Sequence, residues 1–462
     1  MTRGWMTRRK LLQLTGASGA VALGTPALGM TGALVAAPGA MRAGEFPKQQ
    51  KLGLLPLPKV SAEAEALLDE VEERGSQFFY NEAGARTGQV RDHAPAVGKA
   101  KNQVASIAST GFGLTALCIA HKRGYLPAAE CEARVEKTLR FLVEECPQVH
   151  GFLYHFINTE TAAREYKCEV SSIDTALLLC GVLTARQYFA GNRKIEGYAT
   201  QFYERVDWQW MMNGGDTLSM GWHPETGFIK ARWNMYSELM AMCLMAIGSP
   251  THPVPASMWE KIARPRLNYG GIDYITNMHA PLFIHQYAHA WVDFRGQRDQ
   301  YANYFTNSIE ATRAHQLWCL VEGRKFPWMD ENLWGITASD TQSGYNVRGG
   351  PPTMGDVDGT VVPTACGGSL VFLPDECAHV LLYMREKYPE SWTRYGFVDA
   401  FQPQAGWYAP DVLGIDQGPM VLMAENLRTG FVWEYFMRNR EIVQAMKAVG
   451  FRPDRDADLE VL

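Results

Sequence analysis

The chain has 462 residues, of which 47% are hydrophobic and 20% charged, so it can bury a large core and is not predicted to be disordered. Its 49 acidic residues outnumber its 44 basic ones, and this balance excludes a basic nucleic-acid-binding surface. The 13 Trp, 19 Tyr and 20 Phe are more rings than a core requires, and rings in exposed loops suit the apolar faces of sugars.

Residues 1–45 have the features of an export signal followed by a linker. Arg8 and Arg9 form a twin arginine ahead of a weakly apolar stretch that ends in small residues. Pro26 and Pro38, with the low density of Leu, Ile and Val, disfavour a stable membrane span. We therefore expect recognition by the twin-arginine translocase, a periplasmic or secreted location, and one domain over 46–462.

Two kinds of helix alternate along the rest of the chain. Amphipathic helices, with apolar residues at three-and-four spacing, are predicted at 61–79, 127–145, 194–212, 254–267, 301–322 and 375–388. Helices that are apolar on nearly every side are predicted at 103–121, 171–190, 235–248, 282–294, 360–371 and 417–434. Since a helix of the second kind must be surrounded by protein, the alternation predicts an all-α fold, an (α/α)6 barrel of six inner and six outer helices.

The lengths of the connections orient this barrel. Links from inner to outer helices are short, whereas the links from outer to inner helices are long, such as 146–170 and 323–359. Loops of this length are usually functional, so the N-terminal ends of the inner helices are the predicted binding face. This face is also rich in aromatic residues, namely Tyr154, Phe156, Trp222, Trp233, Tyr236, Trp328, Trp334, Tyr345, Tyr395, Trp407 and Tyr408.

Several carboxylates are predicted at this face, and glycoside hydrolysis requires two that flank the scissile bond. Glu169 precedes an inner helix, and Glu238 is predicted in the first turn of another, with Asn234 as a possible cap. Asp399 and Asp416 lie near the start of the last inner helix, where Pro419 resembles a first-turn proline.

Two of these carboxylates also have structural interpretations. Asp174 follows Ser171 at the spacing of a capping box, which favours a helix-start role over a catalytic one. Asp416 could likewise cap its helix. The sequence alone leaves both interpretations open.

His285, His289 and Asp293 are spaced by four, which would place them along one face of a helix. Two histidines at this spacing can bind zinc, but the glutamate of the zinc-protease motif is absent. We therefore predict neither a metal nor a cofactor, and expect His285 and Tyr287 to form hydrogen bonds in the cleft. The nine cysteines form no CxxC motif and are predicted to be free and buried, with a Cys146–Cys168 disulfide as the alternative.

Six ordered segments resemble the bacterial glycoamylase-like family, which includes endo-β-1,2-glucanases and a domain of cyclic β-1,2-glucan synthases. They are 111–117, 172–178, 236–238, 285–296, 331–340 and 414–419. The resemblance extends over about 75–455 and implies a single (α/α)6-barrel catalytic domain that hydrolyses a β-glucan, with β-1,2-glucan as the leading substrate.

The resemblance also implies roles for individual residues. Glu238 matches the glutamate of the family's Tyr-Ser-Glu motif and is the candidate acid, with Glu169 as the candidate base or nucleophile. The positions that match cleft-lining residues, together with Tyr236 and Tyr154, are Asp174, His285, Tyr287, Trp334, Asp340, Asp399 and Asp416. The chain departs from the family at Arg91-Asp92-His93, where Pro-Asp-Arg is common.

Two other functions are compatible with the same sequence features. A polysaccharide lyase on an α/α toroid would use Tyr287 or His285 to abstract a proton beside a uronate. A sugar-binding protein without catalysis would keep the aromatic cleft and have no activity to lose.

Overall fold

The computed structural model describes residues 57–277, 281–350 and 357–454. The proposed export signal over 1–45 therefore lies outside the described residues. Within them, no helix is long and apolar enough to span a membrane. The α-helices are Ala62–Asn81 (α1), Ile107–Arg123 (α2), Ala128–Glu144 (α3), Ser172–Tyr188 (α4), Arg193–Arg205 (α5), Trp208–Met212 (α6), Met240–Ile247 (α7), Tyr287–Trp291 (α8), Tyr304–Glu322 (α9), Pro363–Gly367 (α10), Pro374–Lys387 (α11), Gly414–Thr429 (α12), Phe431–Phe436 (α13) and Arg440–Ala448 (α14).

These helices form the predicted (α/α)6 barrel. The inner ring is α2, α4, α7, α8, α10 and α12, and the outer ring is α1, α3, α5, the 3-10 helix Ala256–Lys261, α9 and α11. Every residue from 107 to 120 in α2 and from 172 to 185 in α4 is buried, as expected for helices that are apolar on all sides. The prediction of an all-α barrel is confirmed.

Glycine allows the first two inner helices to approach closely. A Cβ atom at Gly111 would collide with the backbone of Leu177, and one at Gly181 would collide with the backbone of Gly111. Alanine at either position would therefore push α2 and α4 apart, and with them the loops that lead into their N-termini.

Some predicted helices are shorter than the hydrophobic pattern suggests. The fourth outer segment, predicted at 254–267, is only a six-residue 3-10 helix, because β-strand pairing begins at Arg266. The inner segment predicted at 282–294 is divided into the 3-10 helix Leu282–His285 and α8, and ends before Asp293. The last inner segment breaks at Gly430, which adopts a left-handed conformation (φ 70°) at the end of α12.

The long loops contain short strands that the sequence pattern did not reveal. They are His93–Pro95 (β1), Val104–Ser106 (β2), Phe156–Asn158 (β3), Val170–Ser171 (β4), Gly221–His223 (β5), Gly227–Phe228 (β6), Arg266–Tyr269 (β7), Ile272–Ile275 (β8), Gln297–Arg298 (β9), Ser339–Thr341 (β10), Gly344–Asn346 (β11), Trp392–Thr393 (β12), Gly396–Phe397 (β13), Phe401–Gln402 (β14), Trp407–Tyr408 (β15), Asp411–Leu413 (β16) and Arg452–Pro453 (β17). With two to four residues each, they are too short to show a clear alternation.

The strands tie neighbouring loops together at one end of the barrel. β2, β4 and β16 lead directly into α2, α4 and α12, and they pair antiparallel with β3, β5 and β1. Because β1 belongs to the first long loop and β16 to the last, their pairing joins the two ends of the ring. The long loops therefore meet at the N-terminal ends of the inner helices, as their lengths predict.

Candidate active site

The first carboxylate group at the mouth of the barrel consists of Glu169, Asp174 and the unpredicted His155, and is called the Glu169 cluster below. Glu169 directly precedes β4, Asp174 lies in the first turn of α4, and His155 precedes β3. The His155 Nδ1 atom is 3.1 Å from Glu169 Oε1, and its Nε2 atom is 3.6 Å from Asp174 Oδ1. One imidazole ring therefore lies between two carboxylates.

Asp174 combines the two roles that the sequence left open. The Ser171 side chain caps α4 by accepting the Asp174 backbone N–H at 3.0 Å, and the Ser171 hydroxyl donates in turn to the Asp174 carboxylate. The same carboxylate faces His155 with its other oxygen. The helix cap thus fixes a side chain that belongs to the Glu169 cluster.

A second group, the Asp399 cluster, consists of Asp340, Asp399 and Asp416. The Asp340 backbone N–H donates to Asp399 Oδ2 at 2.6 Å, and Asp399 lines a small cavity together with Asp416, Phe397 and Met420. Asp340 lies on β10, whereas Asp416 lies in the first turn of α12. Three distant parts of the chain therefore bring acidic residues to one place.

Burial and mutual repulsion keep this cluster from ionising fully. Desolvation raises the pKa of Asp399 well above its ordinary value, and the charges of Asp416 and Asp340 raise it further. Desolvation also raises the pKa of Asp340 to about 6, although the nearby His93 opposes the rise. The Asp399 cluster therefore favours the protonated form of its carboxyl groups.

His93 lies beside the Asp399 cluster and was not among the predicted site residues. Its Nδ1 atom is 3.2 Å from Asp92 Oδ2. Burial lowers the pKa of His93, but the hydrogen bond and charge of Asp92, with the charges of Asp411 and Asp340, raise it overall. His93 is thus a cation at mildly acidic pH, next to several carboxylates.

Glu238 lies at the same end of the barrel as Glu169. It immediately precedes the cap of α7, and α7 packs against α4, whose N-terminus carries the Glu169 cluster. Trp233, in the segment that leads to Glu238, donates from Nε1 to Ser172 Oγ at 2.9 Å. The exposed fractions of Glu238 and Glu169 are 5% and 9%, so both side chains are largely buried at this end of the barrel.

Two details predicted around the helix starts are wrong. α7 begins at Met240, so Glu238 precedes the helix instead of lying in its first turn, and Asn234 does not cap it. Pro419 lies inside α12, which begins at Gly414. Because proline has no backbone N–H, it cannot bond the Ile415 carbonyl four residues earlier, and the Tyr287 hydroxyl donates to that carbonyl at 2.8 Å.

The histidines of the 285–293 segment do not share one helical face. The helix breaks at Gln286 and ends before Asp293, which forms an ion pair with Arg295 at 2.8 Å. His289 Nε2 lies 3.1 Å from the Ser308 hydroxyl. Burial lowers the pKa values of His285 and His289 to about 3, so both are neutral at physiological pH.

The predicted aromatic face is partly core. Trp233, Tyr236, Trp334 and Tyr395 are buried, whereas the other seven predicted rings keep partial exposure. The Tyr236 hydroxyl is 3.2 Å from His285 Nδ1, which places these two predicted residues in contact. Tyr154 lies beside the Glu169 cluster with the Arg164 guanidinium 5.0 Å above its ring. Tyr287 and Trp334 are 2% and 0% exposed, so contact with a sugar stays a prediction for both.

Two signals in the sequence point to the residues that were missed. His155 directly follows Tyr154, and His93 is one of the two residues, with Arg91, at which Arg91-Asp92-His93 departs from the family pattern. In the sequence, however, neither histidine is flanked by acidic residues at a spacing that predicts contacts with both of its ring nitrogens. All nine cysteines are free and buried, as predicted, so Cys146 and Cys168 do not form a disulfide.

Fold and site together define an (α/α)6-barrel protein with two carboxylate clusters at the loop-covered mouth. Residues 230–440 match the model of the Glycoamylase family, described as "Putative glucoamylase". Together with the solved structures that it resembles, this match confirms the predicted resemblance to the glycoamylase-like family.

Several solved structures share this fold. An endo-β-1,2-glucanase from Chitinophaga pinensis, solved with sophorotriose and glucose, is 27% identical with a TM-score of 0.78, covering 85% of this chain and 99% of its own. A putative glucoamylase from Bacteroides fragilis is 29% identical with a TM-score of 0.77, covering 88% of this chain and 100% of its own.

A curated relative from Parabacteroides distasonis is an exo β-1,2-glucooligosaccharide sophorohydrolase that acts at the non-reducing end. It is 26% identical over 423 residues, which cover 83% of this chain. The match covers only 58% of the relative's own length.

Proposed function

We propose that the chain is an exported glycoside hydrolase that cleaves a β-1,2-linked glucan or its oligosaccharides. The observation that carries this proposal is the convergence of Glu238 and two carboxylate clusters at one loop-covered mouth. Paired carboxyl groups are the machinery of glycoside hydrolysis. The β-1,2 linkage rests on two family relatives, the glucanase from Chitinophaga pinensis and the sophorohydrolase from Parabacteroides distasonis.

In the proposed reaction, Glu238 is the general acid that protonates the glycosidic oxygen. An acid must hold its proton at the working pH, and low exposure is the environment that favours the protonated form. Glu169 is the proposed base or nucleophile, since it lies at the start of the neighbouring inner helix and faces a potential cation in His155. The remaining predicted residues would bind the sugar units on either side.

The Asp399 cluster contains the rival for the second carboxyl group. Burial and neighbouring carboxylates raise the pKa values of Asp399 and Asp340. Carboxyl groups perturbed in this way are candidates for acid–base chemistry. If Asp399 or Asp416 is the base, Glu169 and Asp174 would instead bind sugar hydroxyls. The two assignments differ in which substitution abolishes turnover.

Product analysis tests the substrate. The purified chain is incubated with linear β-1,2-glucan and, in parallel, with β-1,3-glucan, β-1,4-glucan and a xanthan-type polymer. We expect oligosaccharides from the β-1,2-glucan alone. An ultraviolet-absorbing unsaturated product from a uronate polymer would support the lyase alternative, for which the buried His285 and Tyr287 are the candidate bases.

Replacement of Glu238 tests the mechanism. Glu238→Gln removes the acid while keeping the shape, and we expect kcat to fall by roughly 100- to 10,000-fold with the fold retained. Glu260→Gln, at an exposed position on the outer 3-10 helix, is the matched control and should keep full activity. A binding protein without catalysis would bind β-1,2-glucan equally well with either residue and release no product.

Export is tested separately, because its signal lies in residues 1–45. We propose that Arg8 and Arg9 direct the chain to the twin-arginine translocase. The double substitution Arg8→Lys with Arg9→Lys should retain the protein in the cytoplasm of a host that exports the wild type. Unchanged export would show that another feature directs the chain.

A further inference from the structure

The imidazole ring of His155 faces a different carboxylate with each of its nitrogens. Nδ1 is 3.1 Å from Glu169 Oε1, and Nε2 is 3.6 Å from Asp174 Oδ1. Backbone hydrogen bonds reinforce the arrangement. The backbone N–H of His155 donates to the backbone carbonyl of Glu169 at 3.0 Å, and the backbone N–H of Ile107 donates to the backbone carbonyl of His155 at 3.3 Å. The ring is therefore held between two loops and the start of an inner helix.

The protonation state of the ring decides whether both contacts are attractive. A neutral imidazole has one N–H and one lone pair, so it can donate to only one of the two carboxylates. The other nitrogen would then present its lone pair to a carboxylate oxygen. The imidazolium donates to Glu169 at 3.1 Å, presents its second N–H to Asp174 at the ion-pair distance of 3.6 Å, and places one positive charge between two negative ones.

The elements around the ring differ in their charges. The paired strand β2 consists of Val104, Ala105 and Ser106 and has no titratable side chain. The titratable residues of the loop between β3 and β4, besides Glu169, are Glu160, Arg164, Glu165, Tyr166, Lys167 and Cys168. Arg164 is paired with Glu225 at 2.6 Å, and Glu165 accepts from Asn158 at 3.0 Å. Glu169 and Asp174 form the ion-pair contacts with the two ring nitrogens.

We propose that His155, as an imidazolium, is a positioning residue that holds Glu169 and Asp174 in one fixed orientation for catalysis. The inference rests on the proposed hydrolase function, in which Glu169 acts on the substrate. Deprotonation of His155 removes one of the two N–H donors and leaves two carboxylates in a shared space. Turnover then falls as the pH rises through the titration of this ring.

A divalent cation is the competing occupant of the same cluster. One ligand atom from each of His155, Glu169 and Asp174 lies within 4.8 Å of the others. The two ring nitrogens, however, face different carboxylates, and the second oxygen of Asp174 accepts from Ser171. A protonated ring satisfies all three side chains without a metal.

Two substitutions separate the two contacts of the ring. His155→Asn keeps an N–H near the Nδ1 position, whereas His155→Gln keeps one near the Nε2 position. We expect both to lower kcat on β-1,2-glucan, on the order of 100-fold for His155→Gln, which loses the Glu169 contact, and less for His155→Asn. KM should change little, and the alkaline limb of the wild-type pH profile should disappear in both variants.

The matched control is His252→Asn, in the short link from α7 to the outer 3-10 helix at the other end of the barrel. The His252 side chain is partly exposed, and its Nδ1 atom is 3.0 Å from the neighbouring Thr251 hydroxyl. This control should keep the wild-type kcat and pH profile. Equal losses of kcat in both His155 variants with an unchanged alkaline limb would reduce His155 to a packing residue. Activity that is lost in EDTA and restored by Ca²⁺ or Zn²⁺ would assign the cluster to a metal instead.

A spectroscopic measurement keeps this test independent of the substrate. In protein labelled with 15N-histidine, the His155 signals are assigned by their loss in His155→Asn. We expect both ring nitrogens to be protonated at neutral pH, and Glu169→Gln to make the ring lose a proton at lower pH. A neutral ring at pH 6 would overturn the proposal. If both ring nitrogens are protonated but the chain cleaves no glucan, the proposed function is overturned, and the contact of the His155 imidazolium with Glu169 and Asp174 still holds.

Discussion

The Glu169 cluster and the Asp399 cluster lie at the same mouth of the barrel, but their electrostatic surroundings differ. In the first, an imidazole lies between two carboxylates at 3.1 and 3.6 Å. In the second, three carboxylates share a buried site, and His93 lies beside them, paired with Asp92 at 3.2 Å. The first arrangement places a potential cation between two carboxylates, whereas burial and neighbouring carboxylates raise the pKa of Asp399 in the second and favour its protonated form.

This difference indicates how one barrel can offer both an ionised carboxylate that acts as a base and a carboxyl group that retains its proton. A base must be ionised, which fits a carboxylate that faces a potential cation. A carboxyl group crowded by other acids changes its protonation when a charged or polar group approaches, which fits a residue that responds to the substrate. Glu238, just before the inner helix α7 that packs against α4, is the proposed proton donor.

The largest expected effect is the loss of kcat when the catalytic base is replaced, and it shows which of the two clusters contains that base. Glu169→Gln should lower kcat by roughly 100- to 10,000-fold if Glu169 is the base, and Asp399→Asn should cost far less. The measurement is the initial rate on β-1,2-glucan, with circular dichroism to verify folding. Glu225→Gln, an exposed carboxylate on the same mouth, is the control with no expected loss. The reverse ranking would assign the base to the Asp399 cluster and give Glu169 a binding role.

A pair of opposite pH shifts tests the second cluster. Asp340→Asn removes a charge that raises the pKa of Asp399, so that pKa should fall. His93→Gln removes a charge that lowers the pKa of Asp340, so that pKa should rise. The limb of the pH–activity profile that depends on the Asp399 cluster should therefore move to lower pH in Asp340→Asn and to higher pH in His93→Gln.

The direction of both shifts follows from charge alone and does not depend on which residue is the base. Shifts of several tenths of a pH unit are expected for partly buried neighbours. His252→Asn serves again as the control, since it changes a histidine in a short link at the other end of the barrel. Shifts in the same direction for both variants would show that structural rearrangement dominates over the charges.

The fold was largely predictable because its signal is distributed along the chain. Helices that are apolar on every side, such as α2 and α4, can only be interior, and this requirement fixes the inner ring. The short strands were not predictable, because pairs such as β4 with β5 depend on loops that meet only after the barrel closes. The same reason explains why the fourth outer segment is a 3-10 helix followed by a strand.

The candidate site was predictable in its carboxylates and not in its histidines. Glu169, Asp174, Glu238 and Asp416 all lie near the starts of helices, a position that can be read from the sequence. His155 precedes a two-strand pairing and acquires its partners only through the tertiary fold. The pattern of His285 and His289 was misleading, because their spacing of four assumes one continuous helix, whereas the structure breaks it at Gln286.

The smallest expected effect concerns the hydrogen bonds that attach each cluster to the start of its inner helix, α4 or α12. Ser171→Ala removes the cap of α4 and the hydroxyl that donates to Asp174, and should lower the free energy of unfolding by about 1 kcal/mol. Thr364→Val removes the hydroxyl that donates to the Asp416 backbone carbonyl at 2.8 Å, and should cost about as much, roughly 1 kcal/mol. Urea unfolding measures both.

Only the first of these substitutions should also raise KM, because Ser171 contacts a cluster carboxylate, whereas Thr364 bonds a backbone carbonyl. Thr184→Val, which removes a buried hydroxyl in the middle of α4, is the control for a stability change without a change in KM. A raised KM in Thr364→Val alone would show that the Asp399 cluster depends more strongly on its helix. The substrate-binding geometry would then be set at α12 and not at α4.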